Sequence, residues 1–95
     1  MAPVVHPGSL LKRELAARRL SANRLSRDIG VPSARVTGIL NGRRSITADT
    51  AARLGRYFGN SALFWLGLRG QYDFGVVERD KGAEIAKHMR PADAT

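Results

Sequence analysis

Cysteine is absent from the 95 residues. Disulfides, thiolate nucleophiles and thiolate zinc sites are therefore excluded. Histidine is nearly as scarce: His6 and His88 are the only two, and they sit near opposite ends, in segments read as flexible. The carboxylates Glu14, Asp28, Asp49 and Asp73 show no paired motif and no metal-ligand spacing. No catalytic residue, metal ligand or cofactor is expected, so the chain is not read as an enzyme. No apolar run approaches the roughly 20 residues that span a bilayer, and no membrane partner is expected. The opening MAPVVHPGS lacks the basic start and apolar stretch of a secretory signal, so the expected location is cytoplasmic. Aromatic residues are missing from the first half; Tyr57, Phe58, Phe64, Trp65, Tyr72 and Phe74 all come later. A base-stacking platform of the kind RNA-binding modules use is thus lacking there.

What the first half has instead is arginine. Residues 1–44 carry nine Lys/Arg against Glu14 and Asp28, a balance of +7, whereas residues 45–95 carry only +1. A strongly basic half joined to a neutral one points to a polyanionic partner for the first. The hydrophobic fraction of 43% suits a globular chain. The length allows one small domain with a modest core, for which oligomerisation is expected.

The periodicity predicts an all-α chain of five helices. The first carries Pro7 in its opening turn and Leu10, Leu11 and Leu15 at helical spacing. The second starts at Ser21, an N-cap residue, turns Leu25 and Ile29 inward and stops at Gly30. The third follows after about three residues and ends at Asn41-Gly42. Two short helices joined by so short a glycine turn form a helix-turn-helix signature. The fourth starts at Thr47, with Asp49 suited to the helix dipole, and stops at Gly59. The fifth starts at Ser61 and is apolar almost all round from Leu63 to Leu68. Such a helix is buried on more than one side, and a second copy of the chain can supply the second side. Leu63, Phe64, Trp65, Leu68 and Tyr72 are the expected dimer residues. Residues 1–82 are read as one DNA-binding and dimerisation domain, and 83–95 as a weakly structured tail.

The third helix carries the chemistry. At about 100° per residue, Val36, Ile39 and Leu40 cluster on one side. Ala34 and Gly38 point the opposite way, with Thr37 and Asn41 beside them and Ser33 and Arg35 on the flanks. In a helix-turn-helix this outer face enters the major groove. Small residues let the backbone approach the bases closely. Ala34 can meet a thymine methyl, Ser33 and Thr37 can donate or accept, and Arg35 can bind guanine as a bidentate pair. Ser21, Asn41, Arg43 and Arg44 are placed at the edges to contact phosphates.

The stretches HPG (6–8), GVPSARVTGILNGRR (30–44), ITADTAARLGRYFGNS (46–61) and FWLGLRGQYD (64–73) resemble the HigA/VapI-type antitoxins. These are a branch of the Cro/repressor-like, XRE-type helix-turn-helix proteins. The resemblance implies a lambda-repressor-like five-helix fold and a homodimer built by the C-terminal helix. It implies binding to a palindromic double-stranded operator in the protein's own promoter, and neutralisation of a HigB-like mRNA-cleaving toxin. Its repressor pattern places base reading on Ser33, Ala34, Arg35 and Gly38, and backbone contacts on Ser21, Ala22, Asn41 and Arg43. Repressors of this type often carry a long polar group where this chain has Ala34 and Gly38, which shifts weight to Arg35, Ser33 and Thr37. No motif marks a toxin-binding face; the N-terminal segment with the first helix and the C-terminal tail are both open. A stand-alone regulator of the same type is the alternative.

Overall fold

Four of the five helices begin where a side chain holds a free backbone amide; the third instead enters through Pro32. In a computed structural model, which describes residues 4–92, the helices are α1 (Pro7–Arg18), α2 (Ala22–Ile29), α3 (Ser33–Leu40), α4 (Ala48–Phe58) and α5 (Ala62–His88). The hydroxyls of Ser21, Thr47 and Ser61 accept from the amides of Arg24, Thr50 and Phe64 at 3.0–3.2 Å. The α1 cap is His6, whose Nδ1 accepts from the Gly8 amide at 2.9 Å. The ring of His6 also meets Tyr72 edge-on at 4.8 Å, so the segment read as flexible is pinned to α5. Gly30 and Gly59 end α2 and α4 with left-handed φ of 72° and 75°.

The inward faces of α1 to α4 converge on one core. Leu11, Leu15, Leu25, Ile29, Val36, Ile39, Ile46 and Leu54 are all buried. From α5 Trp65 joins them fully buried, with Ala62, Leu66 and Leu68 packed half-buried against the cluster. The Trp65 Nε1 donates to Asn60 Oδ1 at 2.8 Å. This corrects the expectation that Trp65 lies at a dimer surface: its indole belongs to the core of its own protomer. Leu68 and Tyr72 are half-buried, whereas Leu63 and Phe64 are exposed.

The glycines of α5 do not break it. Gly67 and Gly70 are absorbed into one helix of 27 residues, which at about 1.5 Å per residue is near 40 Å long. It continues to His88, past residue 82, where ordered structure was expected to end. The end of the expected tail, residues 93–95, lies outside the described residues. α5 packs on α4 and α1, is almost wholly exposed from Val77 on, and the long axis of the molecule measures 53 Å. Among the described residues, no helix is long and apolar enough to cross a membrane.

Candidate nucleic-acid interface

α2 and α3 are joined by Gly30, Val31 and Pro32, and each presents an amphipathic face to the core. Gly30 makes the turn, and the Val31 amide closes it on the Ser26 carbonyl at 3.0 Å. Val36 and Ile39 then anchor α3, each 1% exposed. The opposite face is left to solvent: Ser33, Ala34, Thr37 and Asn41 are exposed there, and Gly38 is half-exposed. Thr37 spends its hydroxyl proton inside the helix, donating to the Ser33 carbonyl at 3.1 Å. What it offers outward is an acceptor oxygen and a methyl.

Arg35 takes a position that the helical wheel did not give. Its Nη1 donates to Asp49 Oδ2 at 2.9 Å, across to the first turn of α4. Arg53 Nε donates to the same oxygen at 3.0 Å. Nη1 of Arg53 reaches the C-terminal end of α2, donating to the Ile29 carbonyl at 2.7 Å. Asp49 thereby ties α3 to α4, and Arg53 ties α4 to α2. Neither was singled out from the sequence beyond the dipole role of Asp49, although their four-residue spacing is the signal of a helical ion pair. Arg35, Arg44, Thr47, Asp49 and Arg53 line a polar cleft of about 500 Å³ beside α3.

The chain after α3 folds back on it. Gly42 takes a left-handed φ of 74°, and the amides of Arg43 and Arg44 both donate to the Gly38 carbonyl, at 2.8 and 3.1 Å. Both arginines are exposed. Ser21 and Ala22 lie at the start of α2, where amide groups of the first turn have no helical partner. Arg24 is turned away from this edge and pairs with Asp28 at 2.9 Å, which also accepts from the Tyr57 hydroxyl at 2.6 Å.

Two carboxyls beside this interface are held below the ordinary range, as is Asp80 on α5 by Arg79. The Tyr57 hydroxyl, and then Arg24, lower that of Asp28. Arg53 foremost, and then Arg35, lower that of Asp49. A carboxyl titrating lower in the folded chain stabilises it above the unfolded value, about 3.9. That contribution is lost as pH falls through the folded value. The melting temperature is therefore expected to hold level from pH 7 to about 5 and to drop below about 4. Asp28→Asn combined with Asp49→Asn should flatten that acid limb, as thermal melts across the pH series would show.

An exposed second helix carried on a short glycine turn, with arginines at both ends of its outer face, defines a helix-turn-helix DNA-binding protein. A family profile described as helix-turn-helix matches residues 11–66. The virulence-associated protein I of Dichelobacter nodosus is 44% identical over 80 residues, 83% of this chain and 74% of that protein. An addiction module antidote protein of a HigA family from Coxiella burnetii superposes with a TM-score of 0.92 at 43% identity, covering 96% of this chain and all of that one. The Pseudomonas aeruginosa antitoxin HigA, solved with the higBA promoter, superposes with a TM-score of 0.91 at 35% identity, covering 96% and 100%. The chain belongs to the HigA/VapI-type branch of the helix-turn-helix family. The expectation that it is not an enzyme agrees with this family of DNA-binding proteins.

Along α5 lies a second surface. Leu63, Gly67, Gly70, Phe74 and Val77 recur at steps of four and three and are all exposed, Leu63 at 77% and Phe74 at 65%. Spacing of this kind makes one continuous stripe on a helix. Phe74 and Val77 were not among the expected dimer residues. Their place on the stripe with Leu63 was legible from the same spacing.

Proposed function

We propose that this protein is the antitoxin of a HigB/HigA-type pair, a cytoplasmic homodimeric autorepressor that also binds and neutralises a mRNA-cleaving toxin. The likeness along nearly the whole chain to an antitoxin solved on promoter DNA carries this reading. In it, Ser33, Ala34, Arg35, Thr37 and Gly38 face the bases. Ser21, Ala22, Asn41, Arg43 and Arg44 hold the phosphates. The exposed α5 stripe, with Leu63 and Phe74, and the exposed Phe64 beside it support a dimer surface. Burying it against a second copy would also cover the exposed half of the helix.

Footprinting on the DNA upstream of the protein's own coding sequence tests the repressor role. A dimer should protect two half-sites about 34 Å apart, or a multiple of that. One unpaired half-site would overturn the dimer, and no protection would overturn autorepression. Co-expression with a small basic open reading frame, where one adjoins this gene, tests the toxin. Growth rescue supports the antitoxin; its failure leaves a stand-alone regulator. Within the footprint, Arg35→Ala is expected to lower sequence discrimination by about 1–3 kcal/mol. Arg43→Ala should weaken binding to all sequences and reduce the salt dependence by about one phosphate contact. Competition titrations against a shuffled duplex at several salt concentrations separate the two.

A further inference from the structure

The outer face of α3 is less bare than its sequence. A Cβ placed on Gly38 would lie 2.7 Å from Cδ and 2.8 Å from Cγ of Arg44, and 3.2 Å from its Nε. The arginine stem therefore lies across the helix where residue 38 has no side chain. The backbone fixes it there, because the Arg44 amide donates to the carbonyl of the same Gly38. We propose that Arg44, placed above with the phosphate contacts, instead reads a base edge as a specificity-determining residue, and that Gly38 is the seat that aims it. The proposal rests on the reading of this face as the one that meets DNA.

Three observations carry it. The helix itself puts no long donor outward, since Ala34 and Gly38 are short and Thr37 donates internally. Arg35, the long side chain on α3, is tied to Asp49 on the flank of that face, which leaves the middle of the face without a long donor of its own. Among the described residues Arg44 forms no ion pair, and it is exposed. A guanidinium carried along the outer face can bind O6 and N7 of a guanine as a fork, which a lysine ammonium cannot do. Arg43, one residue earlier, shares the backbone bond to the Gly38 carbonyl, but the side-chain atoms nearest residue 38 are those of Arg44, and Arg43 keeps a phosphate role.

The test compares binding to a duplex recovered from a random-sequence pool by the wild-type protein with binding to its shuffled control. Arg44→Ala and Arg44→Lys should each weaken the selected duplex about tenfold more than the shuffled one. Gly38→Ala should push the stem aside and cause part of that loss, and should add nothing further in the Arg44→Ala background. Wild-type discrimination by Arg44→Lys, or equal losses on both duplexes with Arg44→Ala, would overturn the proposal and leave Arg44 a phosphate contact. Ala34→Leu tests the underlying face separately. It should block the selected duplex, and normal binding by that variant would overturn the docking face itself, whatever Arg44 does.

Discussion

Trp65→Ala is expected to cost about 3–5 kcal/mol of folding stability, a large share of the roughly 5–15 kcal/mol that holds a domain together. The indole is wholly buried, the one side chain of α5 that is. It stands 6.0 Å from the ring of Phe58 at the end of α4 and 5.4 Å from that of Phe64. Truncation leaves a cavity between α4 and α5 and strips Asn60 Oδ1 of its donor. Trp65→Phe keeps much of the volume and loses the hydrogen bond, so its cost should be nearer 1 kcal/mol. Urea unfolding followed by circular dichroism, with sedimentation run beside it, separates the roles. Protomer stability should fall first and DNA binding should follow it. A variant that melts like wild type but no longer dimerises would put Trp65 at the surface after all.

Trp65 also shows where sequence reading stops. From Leu63 to Leu68 nearly every side chain is apolar, so no polar face tells which side is inward. The structure turns Trp65 in and Leu63 out. The start of α5 lies hard against α4 at Gly55, where a Cβ would come within 2.7 Å of the Ala62 amide nitrogen. Features fixed within one helical turn were legible: the caps Ser21, Thr47 and Ser61, the stops Gly30 and Gly59, and the inward pairs Leu25–Ile29 and Val36–Ile39. Those local signals are enough to build the helix-turn-helix and to orient its outer face. Contacts between residues distant in sequence were not legible. Arg35 meets Asp49 across 14 positions. His6 caps α1 although histidine is not among the usual capping residues, and its ring is held by Tyr72 from the far part of the chain. Gly38 reads as room for DNA on a helical wheel. Only the fold shows that Arg44 already lies there.

Gly8→Ala should destabilise the protein although it adds a better helix former, and the sign rests on one close approach. In an open helix, alanine for glycine gains about 0.5–1 kcal/mol. Gly70 provides that reference, since a Cβ there meets nothing within 4 Å. At Gly8 the added carbon would fall inside the contact distance of the Ile39 carbonyl oxygen, and 3.0 Å from the carbonyl carbon. Ile39 cannot give way cheaply, because its side chain is in the core and its carbonyl accepts from the Gly42 amide at 3.1 Å. The start of α1 must lift off the last turn of α3 instead. Overpacking of this kind costs about 1–3 kcal/mol. The strain would be felt where the loop of Gly42, Arg43 and Arg44 is pinned to α3, so operator binding should weaken as well. Thermal melts of Gly8→Ala and Gly70→Ala at low protein concentration should shift in opposite directions. A Gly8→Ala protein as stable as wild type would mean that the first turn of α1 is free to move, and that His6 and Tyr72 do not hold it against the recognition helix.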